Sequence, residues 1–301
     1  MNTSRVSQPG TTIYNAPVST SLTTDYSAGP VQTPAVGPVG TVLRLVIGFF
    51  ALLACYGPHL LIQSIPAMVS QPDLMAGNWG MALAKDGFSL ATIPLTALVL
   101  IWIFNRFIDH RPFRVNGIRF DRRALPALAI GTAISVVIVV PASILLGRLG
   151  LVELAQGTMN GPFWANVAMM LLTGFVMQGI TEELLWRGWM TQSIGGSWKR
   201  QAIIAAIGFG LIHIISNGGH DSLWEGALYL TSAGSFGFAA AALYFATGSI
   251  WGAIGIHGGL HLATFMAKLL GGGEGPAMEA VQIVLYLVIG GAVMQQFLKR
   301  P

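Results

Sequence analysis

Residues 124–147 read ALPALAIGTAISVVIVVPASILLG, a run without one ionisable side chain. About 20 apolar residues in a helix span the roughly 30 Å hydrocarbon core of a bilayer. Comparable runs recur at 41–66, 88–108, 163–187, 201–217, 226–247, 249–269 and 280–298. Together they predict an all-α fold, a polytopic membrane helical bundle of about eight transmembrane helices filling residues 41–301. Pro58, Pro94 and Pro141 fall inside the runs. Neighbouring helices can satisfy the carbonyls that they free.

Composition agrees with that reading. Of 301 residues, 53% are hydrophobic and 9% are charged, against about 25% charged in a typical soluble protein. This excludes a soluble enzyme and a disordered chain. The net charge of +4 would suit a nucleic-acid partner if the basic residues formed a patch. Instead Arg106, Arg111, Arg114, Arg119, Arg122 and Arg123 share one loop, and most others sit at segment ends. That distribution fixes membrane topology and touches anionic lipid headgroups, so no nucleic acid is expected. With eight spans, the arginine loop, Lys199-Arg200 and Lys299-Arg300 fall on one side with both termini. The positive-inside rule makes that side cytoplasmic. The single cysteine, Cys55, permits neither an intrachain disulfide nor a cysteine metal site.

Residues 1–40 are rich in Ser, Thr, Pro, Gly and Val and hold no signal-peptide core. They read as a flexible cytoplasmic tail. The absence of organelle-targeting signals and the multi-pass layout fit the plasma membrane of a bacterial cell.

A few polar residues break the apolar runs. His59, His110 and His220 lie near segment ends, where water reaches them. Glu182, Glu183, Arg187, His213, His257 and His261 lie well inside. Each ionisable group at membrane depth costs at least about 2.5–3.5 kcal/mol unless paired or facing a water-filled cavity. Counting about 1.5 Å per residue from Lys199-Arg200 puts Glu182 roughly 25 Å and His213 roughly 20 Å deep. Counting from Thr247-Gly248 puts His257 and His261 about 14 and 20 Å deep. The groups therefore form a cluster. Polar groups at depth can serve as interhelical glue, but two acids, an arginine and three histidines at one level point to chemistry. Glu183 and Arg187 are i,i+4 and can pair, which turns Glu182 toward other partners. His257 and His261 share one helix face. Gly248, Gly252, Gly255 and Gly259 permit close approach of a neighbouring helix.

Three short motifs carry a family resemblance. Glu182-Glu183-Leu-Leu-Trp-Arg187 matches Glu-Glu-x-x-x-Arg, and Phe209-Gly-Leu-Ile-His213 matches Phe-x-x-x-His. His257-Gly-Gly-Leu-His261 stands where His-x-x-x-Asn/Asp is expected, with His in place of the usual last residue. In this order they resemble the CPBP intramembrane proteases (CAAX prenyl protease 2 and bacteriocin-processing enzymes, the Abi family). The resemblance covers about residues 160–270, the expected catalytic core. It implies an endopeptidase whose chamber opens to the bilayer or the cytoplasm and which takes a peptide or protein substrate at the membrane. Carried over, Glu182 is the activating carboxylate and His213 its partner on the water. His257 and His261 polarise the scissile carbonyl or ligate a metal, Glu183 and Arg187 support the site, and Phe209 packs beside it.

Two chemistries fit these groups. Zinc or another divalent metal held by His213, His257 and His261 could activate water, with Glu182 as general base. Alternatively, Glu182 and His213 activate water directly while His257 and His261 stabilise the oxyanion. Outside hydrolysis, the same fold could form a non-catalytic membrane regulator or scaffold. The Glu/His cluster could also serve an ion-coupled transporter, although no inverted repeat relates 41–147 to 163–298.

Overall fold

The structure is a computed structural model that describes residues 33–154, 161–215 and 222–299. The expected tail up to residue 32, His220 and Arg300 lie outside the described residues. The chain forms a multi-pass helical bundle. Its helices are α1 (Pro38–Gln63), α2 (Trp79–Phe107), α3 (Ala124–Arg148), α4 (Phe163–Ile194), α5 (Trp198–Ile212), α6 (Leu223–Thr247), α7 (Ile250–Leu269) and α8 (Pro276–Leu298). Seven of these are long and apolar enough to cross a membrane. The exception is α5, whose 15 helical residues give way to a 3₁₀ turn at His213–Ile215. The expected fifth span, 201–217, thus starts earlier and stops short, leaving His213 at the inner end of its helix.

Pro94 and Pro141 sit within continuous helices, as expected. Pro58 does not. It breaks α1 at Tyr56, separating Pro38–Cys55 from Gly57–Gln63. A proline ring clashes with the carbonyl four residues back and offers no N–H in return. The first helix also begins at Pro38, ahead of the expected residue 41. Just before it, Val36 N–H bonds Ile194 O at 3.1 Å and Thr33 Oγ1 donates to Gln192 O at 2.8 Å.

One end of the bundle gathers the arginine loop and both ends of the helical domain. Arg44 of α1 pairs at 2.9 Å with Asp109, just beyond α2, and Trp189 Nε1 and Ser193 of α4 donate to the same carboxylate. Trp198 at the start of α5 packs on Phe297 near the end of α8, with ring centres 5.8 Å apart. Gly117 of the loop accepts from Ile250 N–H at 3.1 Å. The opposite end carries a two-stranded antiparallel ribbon, β1 (Glu153–Leu154) with β2 (Gly273–Glu274), tied to α3 by Ser143 donating to Gly273 O at 2.7 Å.

The closest packing is between α3 and α7. A Cβ at Gly255 would run into the Leu128 backbone, and one at Gly259 would lie 2.7 Å from Thr132 Cα. Ser135 Oγ donates across the seam to Ile256 O at 2.6 Å. The expected glycine pattern divides by role. Gly252 faces Leu243 and Thr247 of α6, and Gly248 ends α6 with a left-handed φ of 65°.

Candidate active site

Glu182 and Glu183 occupy a single α-helical stretch of α4, Thr181–Glu183, between two π-helical segments, Leu172–Ile180 and Leu184–Met190. Such widened turns often mark functional sites, because they re-aim side chains relative to a regular helix. Glu183, fully buried, accepts at Oε1 from Arg187 Nη1 at 2.9 Å and from His257 Nδ1 at 2.8 Å. Glu182 instead lies on the wall of a cavity, 8% exposed, and its Oε2 is buried with no hydrogen-bond partner among the described residues.

That cavity, about 1290 Å³, brings four of the expected residues together: Glu182 from α4, His213 after α5, and His257 and His261 from α7. Phe209 also lines it and ties the wall together. Its ring lies 4.3 Å below the Arg187 guanidinium carbon and 4.7 Å from the His213 ring. Such a cation–π contact, desolvated, is worth about 2 kcal/mol. Gly237 of α6 makes room for this stack, since a Cβ there would sit 2.8 Å from Arg187 Nη2. Arg187 and Glu183 stay behind the wall, fully buried.

The histidine rings are oriented by fixed acceptors. His213 Nδ1 lies 2.8 Å from its own helix carbonyl, Phe209 O, which can only accept, so Nδ1 carries the hydrogen. His257 Nδ1 likewise donates to the Glu183 carboxylate. Phe236 meets the His257 ring edge-on at 5.1 Å. The His261 ring stacks on His257 at 5.6 Å and 17°, and Gly174 of α4 leaves the space that its Cβ needs.

Segment 164–263, from the first turn of α4 into α7, matches the family model described as type II CAAX prenyl endopeptidase Rce1-like. This part of the chain is Rce1-like. The family expected from the motifs is the family found, and the Rce1-like segment carries Glu182, Glu183, Arg187, Phe209, His213, His257 and His261. The match covers a third of the chain and likens this segment to a protease family, while the seven long apolar helices make the chain a multi-pass membrane protein. No curated protein matches the chain.

Outside the motifs, the Rce1-like segment adds polar side chains to the cavity wall, Glu225 and Ser232 of α6 among them. Gln178 lies four residues before Glu182, and Tyr229 of α6 packs edge-on against His213 at 5.8 Å. Gln178 was legible in principle, as a lone amide beside an acid in an apolar helix. Tyr229 carried no sequence signal, because aromatic residues abound in these spans.

Among the described residues, no three His, Cys, Asp or Glu side chains converge closely enough to hold a metal ion. Two of the three imidazoles already commit Nδ1 to a protein acceptor, and the His257 and His261 rings lie face to face. Ligating imidazoles commonly give the other ring N–H to such an acceptor, so Nε2 is the nitrogen that His213 and His257 could turn to a metal.

Proposed function

We propose that the protein is an intramembrane endopeptidase that hydrolyses a peptide bond of a membrane-associated substrate with water activated at Glu182. The observation that carries this reading is the asymmetry of the two adjacent acids. Glu183 is held by Arg187 and His257, whereas Glu182 Oε2 is buried, partnerless and on the wall that bears three histidines. An unsatisfied buried acceptor costs about 1–3 kcal/mol, and more when charged. A water or a substrate amide in the cavity supplies the missing partner.

In this mechanism Glu182 takes a proton from the attacking water as general base. His213, held through Nδ1 by its own helix carbonyl, lines the cavity with Glu182 and helps to position the same water. Glu183 holds His257 through Nδ1, which fixes the ring beside the carbonyl to be cleaved. His261, stacked on that ring in the cavity wall, supplies a ring N–H to the oxyanion that forms there. As the C–N bond breaks, Glu182 returns its proton to the leaving amine. Membrane lipids surround the bundle, the arginine loop faces the cytoplasm, and the cell membrane is the proposed location.

The test is cleavage by purified protein of a quenched prenylated CAAX peptide and a panel of unprenylated membrane peptides. Wild type is expected to cut at least one. Glu182→Gln and His213→Gln are expected to lose at least about 100-fold, the usual weight of acid–base groups. Cleavage at wild-type rates by both variants, or no cleavage by folded wild type, overturns the reading.

A further inference from the structure

The catalytic cluster lies nearer the arginine end of the bundle, yet its cavity opens at the other end. His257 is about 10 Å along α7 from Ile250 and about 18 Å from Leu269 at 1.5 Å per residue. On the short side the core is filled. Trp186, Arg187, Trp189, Tyr244, Ile250 and Ile254 lie between the cluster and the arginine loop, none more than 2% exposed. On the long side the wall continues from His261 through Thr264 and Lys268 to β1 and β2, and to the first turns of α6 and α8. The exposed part of the rim is there, at Gly150, Leu151, Glu153 and Glu274. Charge divides the same way. Among the described residues the rim carries Glu153, Glu225, Glu274 and Glu279 with Lys268 as its one lysine or arginine, against Arg106 in the last turn of α2 and five arginines in the loop after it at the far end.

We infer that the substrate chain reaches Glu182 through this arginine-poor mouth, so the cleaved segment lies on the side of the membrane away from the arginine loop. Basic loops stay on the cytoplasmic side because moving arginine across the bilayer is costly. The mouth is then non-cytoplasmic, and the substrates are polypeptide segments exposed on that outer face. The chamber expected from the resemblance opens to the bilayer or the cytoplasm; the filled core beneath the arginine loop argues against the cytoplasmic route. The word substrate rests on the protease reading. The sidedness of the cavity does not.

Cysteine accessibility separates the two. Wild type carries only Cys55, fully buried, and gives the blank. Thr264→Cys sits in the cavity, Glu153→Cys on its rim and Arg122→Cys in the arginine loop. Each is treated with a positively charged, membrane-impermeant thiosulfonate in intact cells and in inverted vesicles. Thr264→Cys and Glu153→Cys are expected to react in intact cells, and Arg122→Cys only in inverted vesicles. Reaction of Thr264→Cys only from the side that modifies Arg122→Cys overturns the inference. So does failure of Thr264→Cys to react from either side, because the mouth then does not lead to the site. Reaction of Arg122→Cys in intact cells overturns the outer-face assignment. None of these outcomes depends on catalysis, so the loss of proteolysis in Glu182→Gln is judged separately.

Discussion

Glu183 Oε1 lies 2.8 Å from His257 Nδ1, joining α4 to α7 at a point where both residues are 5% exposed or less. Arg187 holds the same oxygen from one turn further along α4, at 2.9 Å. A buried ion pair of this kind repays its desolvation only while every member stays in place. Glu183 is thus part of the frame that orients His257, and its neighbour Glu182 is left to face the cavity.

The two acids should therefore answer substitution in opposite ways. Glu182→Gln removes a partnerless carboxylate and is expected to abolish cleavage while the melting temperature in detergent stays level or rises. Glu183→Ala strands the buried Arg187 charge and is expected to cost on the order of 3–5 kcal/mol, with cleavage lost as well. Thermal unfolding of both variants beside a cleavage assay checks the contrast. Equal destabilisation by the two would contradict it.

Pairing also predicts non-additivity. Arg187→Met leaves Glu183 with His257 alone, and Glu183→Gln leaves Arg187 with a neutral amide. Each single variant should melt lower than the double variant Glu183→Gln/Arg187→Met, since removing both charges leaves neither uncompensated. A double-mutant cycle on unfolding free energies reads this coupling, expected at about 0.5–3 kcal/mol. Strict additivity would place the two side chains in separate environments.

Much of this architecture was readable in sequence because hydrocarbon imposes a fixed length on apolar runs, and the eight helices fall where those runs do. What escaped has identifiable causes. Pro58 and Pro94 look alike in sequence, yet Pro58 breaks α1 at Tyr56 and Pro94 leaves α2 continuous. The stop of α5 at Ile212 was hidden because Ile214 and Ile215 prolong the apolar run past the last α-helical turn. Glu183–Arg187 was legible as an i,i+4 pair. The Glu183–His257 bond was not, because it joins residues 74 apart in sequence on different helices. Gly252 matched the same spacing as Gly255 and Gly259 but serves a different neighbour, α6.

The α3–α7 seam gives a prediction independent of chemistry. A methyl at Gly255 meets the Leu128 backbone, which cannot rotate aside, whereas Gly291 in α8 has nothing within 4 Å of an added Cβ. Gly255→Ala is expected to lower stability by about 1–3 kcal/mol, the range for overpacking. Gly291→Ala should be neutral or stabilising by up to about 1 kcal/mol from helix propensity. Melting temperatures of the two variants decide it, and a stable Gly255→Ala would show that α3 and α7 can part without cost.

The orientation of the imidazoles bears on metal dependence. His213 Nδ1 and His257 Nδ1 are each bound to a protein oxygen, so a metal would have to be held through Nε2 atoms that the present arrangement does not bring together as a three-ligand set. Cleavage by the purified protein should therefore survive prolonged treatment with a strong chelator within about twofold, since direct general-base chemistry at Glu182 needs no Lewis acid. Elemental analysis of the same preparation should find zinc and other transition metals well below one per chain. The variants sharpen the comparison. If His261 acts as a ring donor to the oxyanion, His261→Asn keeps a donor and should retain more activity than His261→Ala. Were His261 a metal ligand, both replacements would lower bound metal and activity together. Chelator-sensitive cleavage restored by added zinc, with stoichiometric metal lost in His261→Ala, would replace the direct mechanism by the metal-bound one.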